Sequence, residues 1–436
     1  MRHRVEEFSS YISRIFPKDE DGYEDRVVRT STLQVTDACN LRCTYCYQCN
    51  KGNHVLDFET AKKFIDILLA GDSPYINFEN TRGLILDLIG GEPFMAIDVV
   101  EQITEYIINK MIIEGHPWLF RFRISFSSNG TLYFNPRVQE YLKKYHPWIS
   151  IGFSIDGDKQ LHDACRIFPD GSGSYDLAVS AAKHYMANYG KISTKMTLAP
   201  ENVAYTTEAI KNLIDIGYEQ IFCNCVFEEG WQLEHATTLY WQLKELSDYL
   251  FANNLHDEIY LSMFEENMFK PLNLENEDDD QNWCGGTGAM IAVDYKGDIF
   301  PCLRYMESSL GSSVPPLIIG TVDKGIESTP EQKHCVDCLK CITLTSQSTK
   351  ECVECPIAKG CAWCSAYNYQ YFGELNKRAT FICCMHKARA LANVYFWNKY
   401  YKALNMEERM ECYVPREWAL EIIPEDEYNS LLELSK

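Results

Sequence analysis

Six short β-branched runs, each followed by a polar turn and then a helical stretch, constrain the fold of this chain more than any other feature. The runs are Thr32 to Thr36, Gly83 to Ile89, Arg121 to Ser127, Ser150 to Ile155, Ile192 to Leu198 and Gln220 to Phe227. Between them lie the helical patterns ETAKKFIDILLA, DVVEQITEYIINKMI, PRVQEYLKKY, SYDLAVSAAKHYMANY and AYTTEAIKNLIDI. Strand and helix in strict alternation imply parallel strands joined by right-handed crossovers. Six such units predict an α/β fold, an open partial (β/α)6 barrel of TIM-like kind. Ligands of such a barrel collect at the carboxyl ends of its strands.

The unusual residues fall at those ends. After the first run come Cys39, Cys43 and Cys46, in TDACNLRCTYCYQC. Three thiolates at C-x3-C-x2-C spacing suit one [4Fe-4S] cube and leave one iron open. The alternative is that Cys49 completes the set, giving a fully ligated cluster or a four-cysteine zinc site. After the second run stands Gly90-Gly91-Glu92-Pro93, where two glycines let backbone approach a ligand and the glutamate can accept from a ligand ammonium. Alone, GGEP reads as a plain turn. The third run ends in Ser127-Ser128-Asn129-Gly130, whose hydroxyl and amide groups could reach a ribose. The fourth ends in Ser154-Ile155-Asp156-Gly157, and alternation puts Ser154 and Asp156 on one face. In the sixth, Cys223 and Cys225 share a face; core thiols are the default there, and a hydrogen-atom donor at the barrel mouth is the alternative.

The chain has 19 cysteines in 436 residues. The start MRHRVEEFSSYISRIF has no apolar core of a signal peptide, and no run reaches membrane-spanning length. A cytoplasmic protein with this many thiols is expected to bind metal rather than form disulfides. A net charge of -21 argues against nucleic acid and favours a basic or neutral partner. Residues 1–30 are a polar extension too short for a leader-binding domain, with a loop from Lys18 to Asp25. The barrel is expected over 31–270, its last part (229–270) helical. An acidic stretch, NLENEDDDQN, marks the boundary to a cysteine-rich domain over 271–390, followed by a helical tail over 391–436.

In that second domain Cys284 and Cys302 flank a segment whose turn at Tyr295 to Asp298 predicts a hairpin bringing the two thiols together. Then come Cys335, Cys338 and Cys341, next Cys352, Cys355, Cys361 and Cys364, and finally Cys383 and Cys384.

The C-x3-C-x2-C motif with GGEP behind the next strand resembles the radical SAM superfamily. There the open iron chelates S-adenosylmethionine (SAM), whose reductive cleavage releases a 5'-deoxyadenosyl radical. The resemblance implies that Tyr45 presents backbone to the adenine, that Gly90, Gly91, Glu92, Ser127, Asn129, Ser154 and Asp156 line the SAM site, and that Arg166 pairs with the SAM carboxylate. A surface salt bridge is the alternative for Arg166. The later cysteines resemble the SPASM domain of peptide-modifying radical SAM enzymes, which holds two auxiliary [4Fe-4S] clusters. By that resemblance Cys284, Cys302 and Cys364 ligate the first, and Cys352, Cys355, Cys361 and Cys383 or Cys384 the second. Two departures stand out. Only Ala362 and Trp363 separate Cys361 from Cys364, where the family usually has three residues. The first auxiliary cluster also lacks an obvious fourth cysteine: either Cys335, Cys338 or Cys341 supplies it, or one iron stays open to a substrate thiolate. Zinc held by those three cysteines with His334 is the other reading.

Through TDACNLRCTYCYQ, IGGEPF, SSNGTLYF, SIDG and LHDACRIFPDGSGSYD the chain is similar to maturases whose target peptides carry CXXX repeats. The resemblance implies thioether formation on a cysteine-rich ribosomal precursor peptide. It implies a reductant such as ferredoxin or flavodoxin, and it is compatible with a separate leader-recognition protein. The alternatives are an anaerobic sulfatase-maturing enzyme forming formylglycine, a peptide epimerase using Cys225 or Cys223, and, from another class, an iron-sulfur electron-transfer protein.

Overall fold

The first β-branched run becomes β1 (Val27–Thr36), which stands near the middle of a single eleven-stranded sheet. The computed structural model describes residues 1, 2, 4, 27–48, 50–276, 280, 284–311 and 314–436. The expected loop from Lys18 to Asp25, Cys49 and most of the acidic residues of NLENEDDDQN lie outside them.

After β1 the strands are β2 (Thr81–Gly90), β3 (Phe122–Ser128), β4 (Ile149–Phe153), β5 (Thr194–Leu198), β6 (Gln220–Cys225) and β7 (Tyr260–Leu261). All pair in parallel and in chain order. The helices between them are α1 (Phe58–Ala70), α2 (Ile97–Glu114), α3 (Pro136–Tyr145), α4 (Lys159–Cys165), α5 (Tyr175–Tyr189), α6 (Thr206–Ile216) and α7 (Leu233–Ala252). Local chemistry sets their ends. The Asp57 carboxylate accepts from the Glu59 and Thr60 amides to start α1, and Gly71, at φ 64°, closes it. Asn135 caps α3 with Pro136 at its first position.

The six expected units are therefore present, with one strand more. The segment after α7 is not helical to its end: Tyr260 and Leu261 pair with Gln220 and Ile221 of β6. Two residues carry no period, so the pattern could not reveal them.

Alternation sorts the side chains into two faces. Leu84, Leu86, Leu88, Ile124, Phe126, Ile151, Met196, Leu198 and Ile221 are all at most 2% exposed and form the core beneath the helices. Between them, Asp87, Ser125, Ser127, Ser150, Gly152, Lys195 and Asn224 turn to the other face and line the lumen.

The hairpin expected between Cys284 and Cys302 forms from β8 (Met290–Val293) and β9 (Asp298–Phe300), closed by Asp294 and Gly297. β8 runs parallel to β1, Thr30 opposite Met290, so the cysteine-rich region begins as a continuation of the barrel sheet. β10 (Gly320–Thr321) and β11 (Gly325–Ile326) complete that edge. Helix α8 (Pro330–Lys340) packs on the Gly285–Thr287 turn, and α9 (Cys383–Ala403) lies against α7. α9 is buried on every side, from Met385 through Tyr401. No helix among the described residues is long and apolar enough to cross a membrane.

Candidate active site

The loop after β1 holds Cys39, Cys43 and Cys46, each partly buried. Their thiols are close enough that Cys39 and Cys46 both oppose ionisation of Cys43. The loop is pinned from several sides. Arg42 donates its amide to Ile167 O at 2.7 Å and Thr44 to Cys165 O at 3.0 Å. The Asn40 side chain donates to Thr131 Oγ1 at 2.7 Å and accepts from Asn129 Nδ2 at 2.9 Å. Asp37 accepts from the His54 amide at 2.7 Å and meets the His54 ring at 2.7 Å, and that ring stacks on Tyr295 at 4.1 Å. Asn129 is thus a clamp on the cysteine loop.

Gly90 and Gly91 are glycines for a reason of space. A Cβ on Gly90 would stand 2.5 Å from Thr36 O, and one on Gly91 2.3 Å from Ala38 O and 2.5 Å from Cys39 Cβ. Backbone therefore lies directly against the cysteine loop, and it is this packing that demands glycine at both positions.

Glu92 departs from the expectation that it accepts from a ligand ammonium. It is fully buried, and its carboxylate already accepts from Ser128 Oγ at 2.9 Å, the Asn129 amide at 2.8 Å and the Phe94 amide at 3.2 Å. Burial pushes its carboxyl up to about 7 against those three donors. Its visible work is to tie the end of β2 to the end of β3.

Arg166 is on neither the surface nor a free perch. Its Nε donates to Asp156 Oδ2 at 2.7 Å, and Asp156 is fully buried. The Tyr45 hydroxyl donates to the same carboxylate, and the Arg166 guanidinium lies 5.4 Å from the Tyr45 ring. β4 ends at Phe153, so the alternation assumed for Ser154 and Asp156 does not extend to them. Ser154 donates its amide to Ser128 O at 3.0 Å with its side chain partly exposed. Ser127 is exposed in the lumen.

For Cys223 and Cys225 the structure agrees with core thiols, the default, rather than with a hydrogen-atom donor. They share a face, as alternation demands, but it is the helix-covered one: they are 2% and 7% exposed and belong to the core. Burial pushes the Cys225 thiol up to about 12. Neither is offered to a substrate in the lumen.

The later cysteines fall into groups. Cys284, Cys302 and Cys364 are mutual electrostatic neighbours. A Cβ on Gly286 would sit 3.2 Å from Cys302 Sγ and 3.7 Å from Cys284 Sγ. Cys352, Cys355, Cys361 and Cys383 form the second group, with Arg378 Nη2 donating to Cys361 Sγ at 2.7 Å. Cys384 instead points at Gln232 O, 3.8 Å away. Of the inserted three, Cys335 neighbours the buried hydroxyls of Tyr305 and Tyr75, whereas Cys338 and Cys341 are exposed. Cys338 Sγ meets His334 Nε2 at 3.6 Å. Among the described residues no three His, Cys, Asp or Glu side chains converge on a single metal ion, so a third donor for zinc at His334 is not assembled. Iron-sulfur cubes hold their thiolates farther apart than one ion does. Loop-borne and partly buried cysteines in groups of three and four, beside arginines, suit that larger guest.

Residues that sequence reasoning missed occupy the space between these groups. Arg304 lies 5.1 Å over the Tyr47 ring and pairs with Glu228 at 2.9 Å, and Cys364 is among its electrostatic neighbours. Tyr47 reaches toward Cys46, Asp87 and Cys302. Asp87 was legible as the one acid in the apolar run LILDLIG.

Residues 33–213 match the model of the Radical SAM superfamily. Over that stretch the chain is similar to radical SAM enzymes, which use a [4Fe-4S] cluster and SAM, and its C-terminal region is rich in cysteine. An uncharacterized protein of Methanocaldococcus jannaschii is 29% identical over 278 residues, 62% of this chain and 83% of its own. The antilisterial bacteriocin subtilosin biosynthesis protein AlbA of Bacillus subtilis is 24% identical over 289 residues, 65% of this chain and 56% of its own. The fold is also that of native anSMEcpe with bound AdoMet and Kp18Cys peptide, at a TM-score of 0.63 and 16% identity, covering 87% of this chain and 99% of that one.

Proposed function

We propose that this protein modifies a cysteine-containing ribosomal peptide by radical chemistry and closes thioether links from cysteine sulfur to carbon. One observation carries the reading. Arg304, a neighbour of Cys364, lies 5.1 Å over the ring of Tyr47, which neighbours both Cys46 and Cys302, so the Cys284, Cys302 and Cys364 group is linked to the Cys39, Cys43 and Cys46 loop through these two side chains. Cys39, Cys43 and Cys46 would hold the SAM-binding cluster, which with SAM supplies a 5'-deoxyadenosyl radical. The Gly90-Gly91 backbone shapes the adjoining ligand seat, and Asn40, Asn129 and Thr131 hold the loop still. Arg166 keeps the donors not spent on Asp156 for a carboxylate. Cys284, Cys302 and Cys364 would hold the first auxiliary cluster, and Cys352, Cys355, Cys361 and Cys383 the second. A precursor peptide enters the lumen, and a ferredoxin or flavodoxin supplies electrons.

AlbA serves the biosynthesis of a peptide product, and anSMEcpe is seen with a peptide beside AdoMet; both support a peptide substrate. The test is anaerobic reconstitution with iron and sulfide, then SAM, reductant and a synthetic peptide of Cys-X-X-X repeats. A peptide lighter by two hydrogens per event, with its thiol lost to alkylating reagent, supports thioether formation. An aldehyde from a sulfatase-derived peptide, or unchanged mass with deuterium uptake from solvent, would replace it with formylglycine formation or epimerisation.

A further inference from the structure

Closing a thioether has a strict balance. The S–H and C–H bonds break and the S–C bond forms. The carbon's hydrogen atom ends in 5'-deoxyadenosine, one electron goes to an oxidised auxiliary iron-sulfur cluster, and the thiol proton needs a base. Most carboxylates near the lumen are already committed. Asp156 is held by Arg166 and Tyr45, Glu228 by Arg304, and Glu92 by three donors and full burial.

Asp87 differs. It stands in the lumen-facing register of β2, with Ser125 of β3 its partner across the strands and Ser150 of β4 next in the row. Ser125 is its polar neighbour across the strands and favours its ionised form, and no cation reaches ion-pair distance among the described residues. Lys195 faces it across the lumen from β5, likewise without a hydrogen bond or ion pair there, and the two attract each other at longer range. Tyr47 is a further neighbour of Asp87. Gly152 of β4 stands between β3 and β5 on the same face, and a Cβ there would meet nothing nearer than 3.9 Å, so no side chain from β4 fills that position.

We propose that Asp87 accepts the proton of the substrate thiol, with the Lys195 ammonium across the lumen stabilising the thiolate. The inference rests on the peptide-maturase reading above. Burial holds the Asp87 carboxyl up at about 6, high for an aspartate and suited to taking a proton near neutral pH, while Ser125 and Lys195 pull the other way. Lys195 is lowered by the same burial.

The test uses reconstituted full-length enzyme with SAM, reductant and a Cys-X-X-X repeat peptide. It reads 5'-deoxyadenosine and the peptide lighter by two hydrogens separately. Asp87→Asn is expected to keep its iron and its 5'-deoxyadenosine while losing at least tenfold in product per 5'-deoxyadenosine, and Asp87→Glu to recover part of that. The wild-type product rate falls below pH of about 6. Ser125→Ala, which removes the neighbouring hydroxyl that favours the ionised carboxylate, moves that acid limb upward, and this arm stands even if Asp87→Asn does not fold. Wild-type coupling in Asp87→Asn, or an acid limb unmoved in Ser125→Ala, overturns the inference alone. Wild-type enzyme making 5'-deoxyadenosine and no lighter peptide overturns the thioether reading with it.

Discussion

Arg166 grips Asp156 at 2.7 Å in a pocket where the aspartate is wholly buried and the arginine side chain 12% exposed. Removing one partner of such a pair strands the other charge in a low dielectric. Arg166→Met should therefore destabilise the fold by about 3–5 kcal/mol, and Arg166→Met with Asp156→Leu should recover most of it. Thermal unfolding of the two variants checks this; equal losses would show that the stranded charge is not what destabilises the single variant.

Cys383 and Cys384 are adjacent in sequence and opposite in consequence. Cys383 faces Cys352, Cys355 and Cys361, and Cys384 faces Gln232. Cys383→Ser should lower the iron bound after reconstitution and perturb the spectrum of one auxiliary cluster, with Cys384→Ser close to wild type. Iron analysis with electron paramagnetic resonance reads both.

His162 is fully buried, its Nδ1 accepting from the Asp156 amide at 3.3 Å and its Nε2 meeting Ser174 Oγ at 3.0 Å. Burial first, then the Arg166 charge, pushes its imidazole down to about 4. The unfolded chain takes up this proton near pH 6.5, before the folded one does, so the contribution is complete above that pH and is lost as pH falls toward 4. Stability measured by denaturant between those values should fall less steeply in His162→Gln than in wild type.

Much of this fold is legible in the amino-acid sequence. The period-2 and period-3.6 patterns located six strands and their helices, because those segments bury one face continuously. β7 and the pairing of β8 with β1 were not readable, since pairing across the chain leaves no local pattern. The cysteine loop and GGEP were legible from spacing. The fates of Glu92 and Arg166 were not, because a side chain's partner depends on loops far away in sequence: Ser128 for one, Asp156 for the other. Cys223 and Cys225 show the limit of alternation, which tells that two residues share a face without telling which face is covered.

That covered face leads to a further expectation. Cys225→Ala removes a buried thiol from the core and should cost roughly 1–2 kcal/mol. It should leave product stereochemistry and product per 5'-deoxyadenosine unchanged. A loss of product at full stability would return Cys225 to the reaction.

The most direct measurement follows one hydrogen. A Cys-X-X-X repeat peptide deuterated at its acceptor carbons is incubated with reconstituted enzyme, SAM and reductant, and the 5'-deoxyadenosine is analysed by mass spectrometry. The account predicts 5'-deoxyadenosine carrying one deuterium, formed together with a peptide lighter by one deuterium and one hydrogen. Unlabelled 5'-deoxyadenosine beside unmodified peptide, or intact SAM in an enzyme with its full iron content, would contradict it.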